Sequence, residues 1–325
     1  MAVRTRQNAI PPLAFPAAPA SLNGMTAQVI DGAAIAADVR REVAERSAAC
    51  RANGVTPGLA AVLVGDNAAS LSYVSAKTKA CEEAGMFSET IRLPGSTSQA
   101  ALLGVIAELN ADPRFHGILP QLPFPVQINE NAILDALSPV KDVDGLHPVN
   151  LGRLLRGETD GALPCTPHGV IELLRRTGND PAGKHAVIVG RSTLVGRPLA
   201  VLLSNKASGG NATVTICHTG TPDLGVFTRS ADILVVAAGR PKTITADMVR
   251  QGAVVIDIGT NRIDDATRER GWRLIGDCDY RAVREVAGWI TPVPGGVGPM
   301  TIAMLLVNTV RAAERLALTI SLGQS

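Results

Sequence analysis

Aromatic residues are scarce in this sequence: Phe, Trp and Tyr together make up 3% of its 325 residues. Proteins that hold single-stranded nucleic acid usually stack the bases on aromatic side chains. The basic residues form no long run, and the formal net charge is only +2. These features argue against a nucleic-acid groove, so we expect no nucleic-acid partner.

Long apolar runs and closely spaced cysteines are also missing. No apolar run approaches the roughly 20 residues that a membrane-spanning helix needs, so we expect no membrane association. The five cysteines lie far apart without a CxxC spacing, and the five histidines are equally scattered. This pattern predicts reduced thiols in a cytoplasmic protein, with neither a disulfide framework nor a bound metal.

The first 24 residues differ in composition from the rest of the chain. They contain no acidic residue, and four prolines stand between Pro11 and Pro19. They lack the apolar core of a secretory signal, and the prolines oppose the amphipathic helix of a transit peptide. We therefore predict a disordered extension over residues 1–24.

Short apolar runs alternate with helical segments along the remaining sequence. The run 59–64 is continuous and apolar, as in a parallel strand that is buried on both faces. A second alternating series follows a linker-like region over 157–167; it begins with a predicted helix over 168–176 and continues to 258. Alternation of this kind implies βαβ units with helices on both faces of a mostly parallel sheet.

We therefore predict an α/β protein with two domains. The first domain takes residues 25–150 plus 300–325, and a Rossmann-like domain takes residues 151–299. The final helix, expected over 300–318, returns to the first domain.

Tyr73 and Lys77 stand four residues apart in a predicted helix over 68–84. Residues i and i+4 share one helix face, so the phenol and the amine point into the same space. A lysine there can hold an anion or transfer protons, although a half-buried tyrosine beside a solvated lysine is the simpler alternative. Gln121 follows the predicted strand 117–119, and sheets of this kind bind ligands at the carboxyl ends of their strands. We therefore predict that Lys77 and Gln121 meet at one edge of the sheet.

The segment 187–198 has the pattern of a strand, a glycine turn and a helix start. Gly190 permits a sharp turn, and Gly196 permits close packing of the helix, whose N-terminus can bind a pyrophosphate. Ser192 takes the place of the middle glycine in GxGxxG. The loop favours a dinucleotide site because a strand precedes it and a parallel series follows.

The expected cofactor is NADP rather than NAD. NAD sites usually carry an acidic residue at the end of the second strand. Here no carboxylate follows the strand over 213–217 before Asp223, and Arg191 lies in the glycine loop itself. A missing carboxylate and a nearby arginine suit a 2′-phosphate.

Two further turns are candidates for binding a ligand. Asp144 lies in Lys-Asp-Val-Asp-Gly, residues 141–145, at the junction of the two domains, where clefts form. The segment 294–301 contains three glycines and two prolines, which let the backbone approach a ligand and hold one loop shape. A plain Asp-Gly turn and a structural hinge are the alternatives.

Together these motifs resemble the bifunctional methylenetetrahydrofolate dehydrogenase/methenyltetrahydrofolate cyclohydrolase (FolD) family. The resemblance spans essentially everything from Met25 to the end of the chain. The matching segments are residues 64–67, 72–77, 79–83, 109–112, 116–123, 141–148, 164–167, 190–192, 195–196 and 294–301.

The resemblance implies a role for each candidate residue. Lys77 would be the cyclohydrolase lysine and Gln121 its partner, while Tyr73 would help to place the folate and Asp144 would bind the pterin. These four residues form the candidate catalytic set. Substrate binding would involve Tyr73, Gln121, Asp144, Pro294, Gly295 and Gly296, and NADP binding would involve Gly190, Arg191, Ser192, Gly196, Thr219 and Thr260.

The implied activity is oxidation of 5,10-methylenetetrahydrofolate to 5,10-methenyltetrahydrofolate with NADP, then hydrolysis to 10-formyltetrahydrofolate. Such an enzyme of one-carbon metabolism and purine biosynthesis would be a cytoplasmic homodimer with a small folate substrate. Residues 25–150 plus 300–325 would form the folate-binding catalytic domain, and residues 151–299 would bind NADP.

Some positions depart from the family pattern: Pro120, Thr219, Gly220, Thr260 and Cys278. Gly220 stands where a basic residue is usual, which weakens the expected selectivity for NADP over NAD. A monofunctional dehydrogenase and a silent dinucleotide-binding protein remain alternatives. A short-chain dehydrogenase is improbable because its glycine loop precedes its Tyr-x-x-x-Lys pair.

Overall fold

The computed structural model describes residues 26–323, so the extension predicted for residues 1–24 lies outside the described residues. The first half contains β1 (Gln28–Val29), α1 (Gly32–Ala52), β2 (Gly58–Val64), α2 (Ala68–Glu83), β3 (Phe87–Leu93), α3 (Gln99–Ala111), β4 (Gly117–Pro120), α4 (Glu130–Asp135) and α5 (Pro148–Leu155). The second half contains α6 (Cys165–Arg176), β5 (His185–Val189), α7 (Gly196–Ser204), β6 (Thr213–Cys217), α8 (Leu224–Thr228), β7 (Ile233–Val236), a 3-10 turn (Ala246–Met248), β8 (Val254–Asp257), β9 (Asn261–Asp264), β10 (Trp272–Ile275), α9 (Tyr280–Arg284), β11 (Trp289–Ile290) and α10 (Val297–Gly323). The predicted α/β class is confirmed.

The smaller sheet carries the first part of the site. It is parallel throughout, with the order β3-β2-β4, and every residue of the central strand β2 is buried. This burial on both faces explains the continuous apolar run that the sequence shows there. Both α2 and the segment after β4 therefore start from the same carboxyl edge of the sheet.

The larger sheet carries the second part of the site. Its order is β1-β11-β8-β7-β5-β6, and all of its strand pairs are parallel. The strands β9 and β10 form a separate antiparallel hairpin. The chain continues from β5 to β6 on one side and then to β7 on the other side of β5. In a doubly wound sheet, ligands bind where the strand order reverses in this way, so the carboxyl end of β5 is the expected ligand position.

The strand β1 does not join the smaller sheet. Gln28 and Val29 pair with Trp289 and Ile290 of β11, so the amino end of the described chain forms one edge of the larger sheet. Asp31 then caps α1, since its carboxylate accepts a hydrogen bond from the backbone N–H of Ala34 (3.0 Å). The chain thus passes from the larger sheet into the helix layer of the first domain within a few residues.

The helix α10 is the longest in the described chain and contacts both halves. It packs on α1 and on α6, and its buried side chains include Met300, Leu305 and Val310. The prediction that the last helix returns to the first domain is therefore confirmed. Among residues 26–323, no helix has the length and apolar character needed to span a bilayer.

Two helices begin earlier than predicted, for the same physical reason. The helix α6 starts at Cys165 instead of 168, and α10 starts at Val297 instead of 300. Each contains a proline at its third residue, Pro167 and Pro299, where the missing N–H would have no helical partner in any case. Both prolines were expected to precede their helices.

The chain segment that connects the smaller sheet to β5 contains more helix than predicted. The helix α5 was not predicted, and the expected linker over 157–167 includes the first turn of α6. His147 caps α5, since its Nδ1 accepts a hydrogen bond from the N–H of Val149 (3.1 Å), and Pro148 occupies the first helical position.

Close packing at the start of β2 generates a stability prediction. A Cβ added to Gly58 would overlap the carbonyl oxygen of Arg114, whereas one added to Gly104 on the exposed side of α3 would meet nothing. We expect Gly58→Ala to lower the free energy of unfolding by about 1–3 kcal/mol through overpacking. The control Gly104→Ala should raise it by about 0.5–1 kcal/mol, because alanine favours helix interiors. Urea unfolding of both variants measures this; equal stability of the two would contradict the packing described.

Candidate active site

Lys77 and Gln121 contact each other at the carboxyl edge of the smaller sheet. The Lys77 Nζ donates a hydrogen bond to the Gln121 Oε1 at 2.9 Å, and the lysine is only 8% exposed. The Gln121 Nε2 donates in turn to the carbonyl of Leu122 (2.8 Å), which fixes the amide orientation. The structure therefore brings together the two residues that the sequence placed at one edge.

The local fold explains why this pair is held so firmly. The backbone N–H of Gln121 donates to the carbonyl of Val62 (2.8 Å), so the residue continues the ladder between β4 and β2. At the start of α2, the side chain of Asn67 accepts a hydrogen bond from the N–H of Ser70 (3.1 Å). The side chains of Lys77 and Gln121 therefore project from backbone segments that hydrogen bonds hold in place.

Pro120, a departure from the family pattern, leaves this arrangement undisturbed. It is the last residue of β4, is buried, and stands opposite Val62 in the parallel register. Proline lacks an N–H, yet the next donor along the chain, the N–H of Gln121, still reaches the carbonyl of Val62. Gln121 therefore keeps its place in the ladder although a proline precedes it.

Tyr73 lies one helical turn before Lys77 and is 44% exposed. Both residues face a cleft of about 320 Å³ between the two sheets. The cleft is lined by Tyr73, Lys77, Gln121, Thr166, Val195, Ile258, Thr260, Val297, Gly298, Thr301 and Ile302. Residues from the first domain, the glycine loop, the end of β8 and the start of α10 therefore share one cavity.

The turn that holds Asp144 is built by a neighbouring aspartate. The buried carboxylate of Asp142 accepts hydrogen bonds from the N–H groups of Gly145 (3.0 Å) and His147 (2.8 Å) and from the Asn150 side chain (2.8 Å). Gly145 has a φ of +73°, and a Cβ there would overlap the backbone of Leu163. Asp142 was not predicted as a site residue; an Asp three residues before a turn Gly was the available signal.

Asp144 itself is partly exposed and lies outside the described lining of the cleft. Burial among protein atoms raises the pKa of its carboxyl, while the positive charge of Lys77 lowers it.

The glycine loop has the shape of a phosphate cradle. Gly190 has a φ of +133°, and a Cβ there would overlap the carbonyl of Ala237. A Cβ on Gly196, at the start of α7, would overlap the carbonyl of Gly190. The Ser192 Oγ accepts long hydrogen bonds from the N–H groups of Val195 (3.2 Å) and Gly196 (3.4 Å), so it organises the turn into the helix.

The side chains of Arg191 and His218 lie side by side next to this loop. The N–H of Gly220 donates to the His218 Nδ1 (3.0 Å), so a neutral imidazole carries its proton on Nε2. That nitrogen lies 3.4 Å from the Arg191 Nη1. The cationic guanidinium of Arg191 beside this imidazole suits an anionic group such as a 2′-phosphate, and the exposed side chain of Thr219 follows His218 in sequence. These residues fit NADP.

The turn over residues 294–296 lies against the start of α1. The carbonyl of Gly295 accepts a hydrogen bond from the N–H of Ala33 (2.9 Å), and a Cβ on Gly32 would overlap the carbonyl of Gly296. Pro294 follows a cis peptide bond and is exposed. The next residues, Val297 and Gly298, are those that line the cleft.

Several lining residues were not predicted as site residues. Thr166 and Thr301 join the starts of α6 and α10 through their hydroxyls (2.9 Å), and Ile258 with Ile302 supplies apolar walls. Thr166 belongs to a Pro-Cys-Thr-Pro segment, but the side of the helix that it faces could not be read from that segment. In the part of the chain that the structure describes, no group of three His, Cys, Asp or Glu residues could hold a metal ion.

Comparison with known proteins assigns both halves of the chain. The catalytic-domain model of tetrahydrofolate dehydrogenase/cyclohydrolase matches residues 30–144, and the NAD(P)-binding-domain model matches residues 164–317. The bifunctional protein FolD of Dehalococcoides mccartyi is 58% identical over 294 residues, which cover 90% of this chain and 99% of the relative. FolD 1 of Myxococcus xanthus is 54% identical over 289 residues, covering 89% and 98%.

Solved structures agree with the sequence relatives. The bifunctional FolD enzyme of Campylobacter jejuni is 46% identical with a TM-score of 0.84, covering 89% of this chain and 99% of that one. The FolD of Trypanosoma brucei, complexed with NADP cofactor and inhibitor, is 39% identical with a TM-score of 0.85, covering 90% and 99%. On its two domains, its cleft and these likenesses, this chain belongs to the tetrahydrofolate dehydrogenase/cyclohydrolase family.

Proposed function

We propose that this chain oxidises 5,10-methylenetetrahydrofolate to 5,10-methenyltetrahydrofolate with NADP and then hydrolyses the product to 10-formyltetrahydrofolate. The observation that carries this proposal is the hydrogen bond between Lys77 and Gln121 in the wall of a cleft whose other wall belongs to the cofactor domain. Family membership supports both reactions.

The oxidation needs positioning more than a protein acid or base. The hydride leaves a methylene carbon between two folate nitrogens, whose lone pairs stabilise the resulting cation. NADP accepts the hydride when it is bound. The task of the chain is to hold the folate against the cofactor loop, and the shared cleft suits that task.

The hydrolysis needs proton transfer, because water adds to the methenyl carbon and a ring bond then opens. Lys77 is the group we assign to this step. In its unprotonated form, the amine of Lys77 can accept a proton from the attacking water. Gln121 holds the amine in place, and its contact with Lys77 favours a bifunctional enzyme over a monofunctional dehydrogenase.

The remaining site residues are proposed as binding groups. The carboxylate of Asp144 can accept paired hydrogen bonds from the amino-pyrimidine edge of the pterin, and Tyr73 offers an exposed ring beside the cleft. The turn over 294–296 sets the start of α10, which faces the substrate. The cofactor set comprises Gly190, Arg191, Ser192, Gly196, Thr219 and Thr260.

We further propose that the enzyme is a homodimer in the cytoplasm, where it serves purine biosynthesis through one-carbon metabolism. The domain limits at residues 25–150 plus 300–325 and 151–299 are also proposals. The pairing of β1 with β11 adds residues 28–29 to the sheet of the cofactor domain.

Replacing the lysine separates the two reactions. We expect Lys77→Met to lower the cyclohydrolase rate at least about 100-fold, because a general acid or base contributes about 10²–10⁴-fold. The dehydrogenase rate should stay within about tenfold, since that step needs no protein base. Loss of methenyltetrahydrofolate absorbance and formation of reduced NADP measure the two rates. The matched control is Lys79→Met, an exposed lysine of the same helix; intact hydrolysis in Lys77→Met would sink the assignment.

Replacing the loop arginine tests the choice of cofactor. We expect Arg191→Gln to raise the KM for NADP about tenfold or more, because a charge-assisted contact to phosphate is lost. The KM for NAD, which lacks that phosphate, should change less than threefold by the same estimate. Steady-state dehydrogenase assays with each cofactor decide this, with Arg41→Gln on the exposed face of α1 as the control. A parallel rise for both cofactors would place Arg191 elsewhere.

The oligomeric state is measured directly. Sedimentation equilibrium should give about twice the chain mass of 33.7 kDa. A mass equal to that of one chain, at the protein concentrations used in the assays, would contradict the homodimer.

A further inference from the structure

Two buried aspartates lie behind the cofactor side of the cleft, outside its lining. Asp257 ends β8 and is 2% exposed, and Asp277 follows β10 and is 0% exposed. Neither carboxylate forms an ion pair within the described residues; both accept hydrogen bonds from backbone or amide N–H groups instead. Buried carboxylates are costly unless they are fully bonded, so this arrangement needs an explanation.

Asp277 connects the ends of two neighbouring strands. Its Oδ2 accepts hydrogen bonds from the N–H groups of Ala238 (2.6 Å) and Gly239 (2.8 Å), just beyond β7. Its Oδ1 accepts one from the Asn261 Nδ2 (2.7 Å), at the start of β9 and after the turn that follows β8. One carboxylate therefore holds the turn over 237–239 and the turn over 258–261 at a fixed separation.

Asp257 fixes Asp277 in turn. Its carboxylate accepts hydrogen bonds from the N–H groups of Gly259 (2.9 Å), Asp277 (2.9 Å) and Cys278 (2.8 Å). A Cβ on Gly276 would overlap the Asp257 carboxylate, so the chain passes directly over it. Burial raises the pKa of the Asp257 carboxyl, and the three backbone hydrogen bonds lower it.

Both turns that Asp277 holds face the proposed cofactor site. The carbonyl of Ala237 lies against Gly190 of the glycine loop, where a Cβ would overlap it. In the other turn, Ile258 and Thr260 line the cleft itself. A shift of either turn would change the space between the glycine loop and the cleft without moving Lys77 or Gln121, which project from the smaller sheet.

We propose that Asp257 and Asp277 are positioning residues for NADP, which set the ends of β7 and β8 against the cofactor through a two-carboxylate clamp. The inference rests on the proposed function for the identity of the cofactor. The clamp itself touches neither substrate nor cofactor, so it should act on the binding of NADP and hardly at all on hydrolysis.

The decisive variant is Asp277→Asn, which keeps the size of the side chain. An amide has a single acceptor oxygen, so it cannot serve both the turn over 237–239 and the Nδ2 of Asn261. We expect the Kd and the KM for NADP to rise about tenfold or more, as for loss of a hydrogen bond to a charged group. The cyclohydrolase kcat and KM, measured on isolated methenyltetrahydrofolate without NADP, should stay within about twofold on the same scale.

Asp279→Asn is the matched control. It makes the same chemical change two residues away, at a partly exposed side chain that pairs with Lys242 (3.2 Å) and touches neither turn. Both activities and the affinity for NADP should match those of the parent protein. Because the cyclohydrolase assay contains no NADP, an unchanged cyclohydrolase rate shows that a variant is correctly folded.

Two results would overturn the proposal: an unchanged affinity for NADP in Asp277→Asn, or a parallel fall of both activities. If Asp277→Asn does not fold, Asn261→Ala is the second variant, because it removes only one of the three hydrogen bonds to the Asp277 carboxylate. An affinity for NADP in Asn261→Ala equal to that of the parent protein would also overturn the proposal. Failure of the proposed function looks different, since the parent protein would then lack activity on folate while Asp277→Asn still weakened NADP binding.

Discussion

Helix α10 is the constraint on which the geometry of the site depends. Its first residues line the cleft, and its middle is buried against α1 and α6. Within it, the Nδ2 of Asn308 donates to the carbonyls of Val143 and Leu163, both at 2.9 Å. One buried amide thus joins the two ends of the segment that connects the domains. Because the helix is a rigid element packed on both halves, the position of one cleft wall relative to the other is fixed by this helix.

The two walls supply different kinds of chemistry. The first wall presents the nearly buried amine of Lys77, which projects from α2, and its partner Gln121 just beyond β4. The second wall presents small and apolar side chains, and buried carboxylates hold the turns behind it. Proton transfer and hydride transfer therefore draw on separate groups within one cavity, which agrees with a single chain that performs two consecutive reactions.

Much of this arrangement could be predicted from sequence, because local patterns determine it. Continuous apolar runs mark the buried strands, and parallel strands end at one edge, so the sequence alone predicts the contact between Lys77 and Gln121. The helix starts at Cys165 and Val297 and the hairpin of β9 and β10 were missed. Prolines in a first helical turn look like breakers, and a short exposed hairpin carries no strong apolar alternation.

Pairing of the first described strand with the last one has a consequence for folding. The strand β1 forms the edge of the larger sheet by bonding to β11, almost the whole chain away. The sheet therefore remains incomplete during synthesis until nearly all of the polypeptide has emerged. Until β11 is synthesised, one edge of β8 also stays unpaired. Contacts of such long sequence separation slow folding. The strand β11, which is synthesised late, completes a sheet that includes β1, which is synthesised early.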